Sequence, residues 1–136
     1  MTTNAQITDN FSYSELACKG VKQSCGGCKA LPITDLLYFH MERLQSMRSQ
    51  LGFPLTVTSG HRCSRHNRYS GGAPNSMHLH LATDVRPPDH MMEAIDDILQ
   101  LADEMSFGGI GAYDDFVHLD SREFIQRDIA RWNNRT

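Results

Sequence analysis

Gly108-Gly109-Ile110-Gly111-Ala112-Tyr113-Asp114-Asp115-Phe116-Val117-His118-Leu119-Asp120 is the stretch that decides the fold class. Gly108 to Ala112 and Phe116 to Leu119 read as two strands, with Tyr113-Asp114 as the turn between them. Strands this close in sequence suit a hairpin, because a parallel return needs a crossover of a dozen or more residues. Elsewhere strands and helices interleave, so this pair tips the reading. The expectation is an α+β fold: one domain with a small, mostly antiparallel sheet flanked by helices, not a doubly wound one.

Working outward, Leu81 to Val85 reads as a strand that Arg86-Pro87-Pro88 stops. Asp89 then opens a helix to about Met105, with Met91, Ile95, Ile98, Ala102 and Met105 as its apolar face. Pro54 to Ser59 is a strand rich in β-branched residues. Before it, Pro32 to Leu51 reads as a helix starting near Thr34 or Asp35. Leu37, Met41, Leu44, Met47 and Leu51 recur there at steps of three and four, a core stripe, and Gly52 sits where a left-handed residue would end it. A short helix through Ser14-Glu15-Leu16-Ala17 has Asn10 or Ser12 as its cap. Gly20 to Leu31 is a Gly/Cys/Lys loop, and Gly60 to Asn75 is a long polar loop of the kind that often carries function. Phe124, Ile125, Ile129 and Trp132 belong to a tail that packs back on the domain. Residues 1–9 read as a flexible leader ahead of a single domain over 10–136.

The chain has 136 residues, 40 % of them hydrophobic and 21 % charged, which fits one ordinary globular domain. A net charge of -3 provides no basic field for nucleic acid. No apolar run reaches the roughly 18 residues that would span a bilayer, so membrane insertion is not expected. The polar start Met1-Thr2-Thr3-Asn4-Ala5-Gln6 lacks the basic and apolar regions of a signal peptide, which implies synthesis in the cytoplasm. A monomer is expected.

The chemistry concentrates in Ser76-Met77-His78-Leu79-His80-Leu81-Ala82-Thr83-Asp84-Val85 and in His118. Asp84 and His118 on neighbouring strands would converge, and His78, from the loop before, could complete the set. Two imidazoles and a carboxylate suit a catalytic zinc, which takes three protein ligands and keeps a fourth position open. Asp115, three residues before His118, could accept a proton there; the alternative is a residue of the turn alone. Asp120 is the second candidate base, or orients a ligand from behind. Arg62, just after a strand, could bind a carboxylate or an oxyanion. His80 lies two residues from His78, so both could face the metal. His40, His61, His66 and His90 have no partner spacing. Cys18, Cys25, Cys28 and Cys63 include a Cys-x-x-Cys knuckle and could form a structural zinc site, two disulfides, or remain reduced thiols.

These residues resemble peptidase family M15, the zinc D-Ala-D-Ala carboxypeptidase and L-alanyl-D-glutamate endopeptidase group, which has the hedgehog/DD-peptidase fold. The family pattern is Ser-x-His-x-x-Gly-x-Ala-x-Asp with a later His. Ser76, His78, Ala82, Asp84 and His118 fit it, and Thr58-Ser59-Gly60-His61-Arg62 is similar to the family's Ser-Gly-Tyr-Arg segment, whose Arg meets substrate. Asn10 to Glu15 and Gly109-Ile110-Gly111 also look like phage and bacterial members, so that the likeness covers roughly residues 10–122. In this chain His78 and Asp84 stand six apart where the pattern has seven, His80 falls at the pattern's Gly, and His61 stands at its Tyr. His80 is therefore the alternative first ligand.

The resemblance implies a zinc metallopeptidase that cleaves peptidoglycan stem or cross-link peptides. His78, Asp84 and His118 would hold the metal, Asp115 would act as base, and Arg62 and Ser76 would meet substrate. With no signal peptide, it implies a phage endolysin released by a holin, or a virion-borne lytic domain acting on the cell wall. The rival is a non-catalytic zinc-binding module or phage structural component of the same fold, which would have no need of Asp115.

Overall fold

The computed structural model describes residues 5–136, so residues 1–4 of the expected leader lie outside the described residues. The rest of that leader is built into the domain. Gln6–Thr8 (β1) pairs antiparallel with Phe11–Ser12 (β2). Thr8 Oγ1 and the Asn10 N–H each donate to Gln45 Oε1 at 2.8 Å. Polar residues hid β1 from the sequence, because its apolar contribution is a single partly buried Ile7, while β2 brings the fully buried Phe11. Tyr13–Leu16 (α1) follows, with the Glu15 carboxylate accepting from the Ser12 N–H at 2.7 Å, the return half of a capping box.

Asp35–Leu51 (α2) starts where Thr34 Oγ1 accepts from the Leu37 N–H at 3.2 Å and ends at left-handed Gly52, φ 76°. Its stripe buries Leu37, Met41, Leu44 and Met47 completely, and each such side chain contributes roughly 1.5–3 kcal/mol of burial. Thr56–Ser59 (β3) comes next. The expected polar loop then contains a helix, Ser64–Tyr69 (α3), started by Cys63, whose Sγ accepts from the His66 N–H at 3.4 Å. Ser-Arg-His-Asn-Arg-Tyr carries no apolar stripe, so periodicity could not show it. Met77–Leu79 forms one 3-10 turn before Ala82–Arg86 (β4). The helix expected from Asp89 is broken: Asp89–Ala94 is 3-10, with Met91 non-helical at φ -129°, and only Ile95–Glu104 (α4) is α-helical. Gly109–Ala112 (β5) and Val117–Asp120 (β6) form the expected hairpin, and the tail contains a further strand, Ala130–Asn133 (β7).

The main sheet runs β3-β4-β6-β5-β7. All its pairs are antiparallel except β5 with β7, which is parallel. Alternation along the strands separates two faces. Val85, Val117, Leu119 and Ile110 enter the core with α2 and α4. Asp84, His118 and Asp120 occupy the other face. Gly109 and Gly111 are the gaps that this polar face needs. A Cβ on Gly109 would overlap the Asp120 carboxylate, and one on Gly111 would overlap the Trp132 indole.

Candidate metal centre

Register brings the first two groups together: Asp84 on β4 is the direct cross-strand partner of His118 on β6. Asp84 Oδ1 lies 3.1 Å from His118 Nδ1. His78 arrives on the 3-10 turn before β4. Its Nε2 lies 3.3 Å from the same Asp84 oxygen, and its ring stands edge-on to that of His118 at 5.1 Å. One ligand atom from each residue falls within 4.8 Å of the others.

The outer nitrogens are tied. His78 Nδ1 donates to the Gly60 carbonyl at 2.6 Å, and His118 Nε2 donates to Asp120 Oδ2 at 2.7 Å. A carbonyl only accepts, so Nδ1 of His78 is the donor there and Nε2 is the atom left facing Asp84. Such outer hydrogen bonds fix the tautomer and orientation of metal-ligating imidazoles. Asp120 is itself fully buried and is held by Arg122 through Nε at 3.0 Å and Nη2 at 2.8 Å. It therefore sits behind His118, the orienting role.

The charges are mutually supporting. Burial alone would raise the Asp84 pKa, but hydrogen bonds from His118 and His78 hold it down at about 2. Burial also opposes charge on His118, yet Asp120 and Asp84 outweigh it and pull its pKa up. For Asp120, burial again pushes up while His118 and Arg122 hold the carboxyl well below its usual range. Two imidazoles and a carboxylate with a common focus, each supported from behind, fit zinc with an open fourth position.

These groups line a cavity of about 920 Å³. Arg62 reaches it from the end of β3, and its buried Nε has no partner. Ser76 lines it and accepts from the His78 N–H at 3.2 Å. Tyr113 and Phe116 stack at 4.3 Å on one side, and Trp132 of β7 packs on His118 at 5.0 Å while its Nε1 donates to Tyr113 Oη. Arg122, Arg127 and Asp128 also line the cavity.

Two of the expected residues stand elsewhere. His80 is exposed, its Nε2 3.2 Å from Arg127 Nη2, so the chain brings His78 and not His80 to the focus. His78 sits on the 3-10 turn Met77–Leu79, and Asp84 on β4 is paired with His118. Asp115 is exposed in the β5–β6 turn and is not among the cavity-lining residues. Among the histidines without partner spacing, His40 and His61 are buried and His90 is exposed. The sequence reading missed Gly60, Arg122, Arg127, Asp128 and Trp132. Arg122 left a trace as a cation two residues beyond the Asp120 that it holds, and Trp132 as an apolar residue of the tail expected to pack back on the domain. Cys18, Cys25, Cys28 and Cys63 form a separate cluster with no disulfide among them.

A family model described as Peptidase M15 matches residues 9–120, most of the 136-residue chain. No curated protein matches it.

Proposed function

The chain belongs to the peptidase M15 family, and on that premise we propose that it is a zinc-dependent peptidase that cleaves peptidoglycan stem or cross-link peptides. The observation that carries this reading is the focus of His78, Asp84 and His118 at the cavity, with both outer imidazole nitrogens already committed. Zinc held there would supply Lewis acidity and a water of lowered pKa.

The chain's own residues would do the rest. Asp115 is the proposed proton acceptor, and later the donor to the leaving amine. The turn that carries it lies between Tyr113 and Phe116, both of which line the cavity. Arg62 offers an unpartnered buried Nε–H to a peptide carboxylate or to an oxyanion as charge develops. Arg127 adds a further cation to the wall beside Arg62 and Arg122, which suits stem peptides with their free carboxylates. The place of action on this reading is the cell wall, reached as a lytic enzyme of phage type. Asp128 is a second candidate base, favoured by one observation: it lines the cavity and Asp115 does not.

The test is release of free amines from purified peptidoglycan with and without chelator, comparing wild type, Asp115→Ala and Asp128→Ala at equal zinc content. Metal-dependent release that falls by about 10²-fold or more in Asp115→Ala alone is the expected result. The reverse pattern moves the base to Asp128. No release by zinc-loaded wild type on several wall chemotypes would replace the enzyme by a non-catalytic binding module.

A further inference from the structure

The four thiols come from three separate segments: Cys18 after α1, Cys25 and Cys28 in a knuckle, and Cys63 at the start of α3. Their sulfurs all lie within 4.8 Å of one another. Each sulfur therefore has three close neighbours, where a disulfide needs only one, at about 2.05 Å. A tetrahedral four-thiolate zinc site, with Zn–S near 2.3 Å, has sulfur–sulfur edges of about 3.8 Å. A shared ion fits this arrangement better than two separate bridges.

The backbone is shaped around the sulfurs. Gly26 and Gly27 both have positive φ, 73° and 68°, and make the turn that folds the knuckle. The Cys28 N–H points at Cys25 Sγ at 3.5 Å, and the His66 N–H at Cys63 Sγ at 3.4 Å, donors that favour thiolate over thiol. Gly20 passes so close that a Cβ would overlap the Cys25 sulfur. Lys19 and Arg62 lie within electrostatic reach of Cys18, where they would offset the negative charge of four thiolates around a divalent ion.

Residues 19–30 include no buried residue and no helix or strand. Ordering such a segment costs conformational entropy that apolar burial does not offset here. The Cys18 N–H closes the base of the loop on the Ala30 carbonyl at 2.8 Å, and His66 Nδ1 meets Ser24 Oγ at 3.2 Å. Tyr13 Oη also donates to the Lys29 carbonyl at 3.4 Å and Lys19 Nζ to the Glu15 carbonyl, and the thiol cluster adds a tie at the knuckle itself.

We infer that Cys18, Cys25, Cys28 and Cys63 bind a second, structural zinc ion that staples the 18–30 loop to the start of α3. Binding converts four thiols to thiolates and releases their protons. The staple bears on the cavity, since Cys63 follows Arg62, and Gly60, whose carbonyl holds His78, packs its backbone against Leu16. The inference does not depend on peptidase activity.

The test uses the full chain with Asp84→Asn and His118→Ala together, which removes the imidazole–carboxylate site. Purified under reducing conditions, loaded with Zn²⁺ and dialysed, this variant is expected to retain close to one zinc per chain by elemental analysis. Its thiols should react with a thiol reagent only after chelation. Replacing the zinc by Co²⁺ should give intense thiolate-to-cobalt charge-transfer absorption, which Cys25→Ser with Cys28→Ser removes. Because zinc count, thiol reactivity and cobalt spectrum are read without the cysteine variant, its failure to fold would not rescue or sink the idea. No retained zinc, freely reactive thiols before chelation, or the mass of two disulfides in the zinc-loaded protein would each overturn it.

Discussion

Among the described residues two clusters of ligand atoms gather, the atoms of each within 4.8 Å of one another, and they are built in opposite ways. The imidazole–carboxylate cluster stands on a sheet. Asp84 and His118 face each other across four paired positions of β4 and β6, and the outer atoms of both histidines are tied by Gly60 and Asp120. The thiol cluster hangs on loops, with no ladder beneath Cys18, Cys25 or Cys28 and only the first turn of α3 beneath Cys63. A site carried by a sheet has its shape before an ion arrives, which suits a metal that must keep an open position for chemistry. A site on loops takes its shape with the ion, which suits a metal that holds the fold.

The largest effect is expected from Asp84→Asn. The substitution keeps the shape and removes the charge shared by His78 and His118. Metal-dependent peptide cleavage should fall by about 10³-fold, roughly 4 kcal/mol, while the circular dichroism of the metal-free protein stays as in wild type. A variant that loses its fold along with its activity would show that the sheet does not preform the site.

How far the sequence revealed each region follows from the same contrast. The hairpin of β5 and β6 follows from the short turn between two strands, the stripe of α2 from its periodicity, and the convergence of Asp84 and His118 from alternation once their strands are neighbours. The rest depended on contacts that no local pattern encodes. Trp132 reaches His118 only because β7 pairs parallel to β5, opposite Gly111. Four residues of mixed polarity gave no strand signal. α3 starts on a cysteine and has no apolar face, so it read as loop. His78 could not be separated from His80 by spacing, because the 3-10 turn that carries His78 is set by tertiary hydrogen bonds: the Arg62 N–H donates to the His78 carbonyl at 2.7 Å, and His78 Nδ1 to Gly60. The placement of Asp115 outside the cavity lining was likewise invisible in its offset from His118.

The second effect concerns what supports the sheet from below. His40 is fully buried on α2, with Nδ1 2.7 Å from Ser121 Oγ and Nε2 2.9 Å from Thr83 Oγ1. It thus ties α2 to β4 beside Asp84 and to the end of β6. Burial holds its pKa down at about 3, against 6.5 when exposed. As pH falls below 6.5 the unfolded chain takes up a proton that the folded chain refuses, so stability present above pH 6.5 is lost on the way down to about 3. By pH 4 the loss from this group is on the order of 3 kcal/mol. Urea unfolding at pH 7 and pH 4, with chelator present so that neither cluster holds metal, should show His40→Gln losing less stability between the two pH values than wild type by about that amount. Parallel losses in the two proteins would remove His40 as the acid-sensitive support of the ligand-bearing strands.

The smallest effect tests the support behind the ligand. Asp120→Asn leaves an oxygen that can still accept from His118 Nε2–H, but removes the charge that His118 and Arg122 share. Outer-sphere partners of this kind are worth about 10–100-fold in metal affinity, roughly 1.4–2.7 kcal/mol. The sign follows from the imidazole: without the carboxylate behind it, Nε2–H is less polarised and Nδ1 is a weaker donor to a metal. Competition with a chromophoric zinc chelator should show the affinity of the imidazole–carboxylate site falling by that factor, while the zinc bound by the thiols is unmoved. Equal weakening at both clusters would mean that they are one coupled system, and the division between a preformed site and an ion-shaped one would fail. Weakening confined to the first would place the orientation of His118 in Asp120, a residue on the same strand and the same face two positions away.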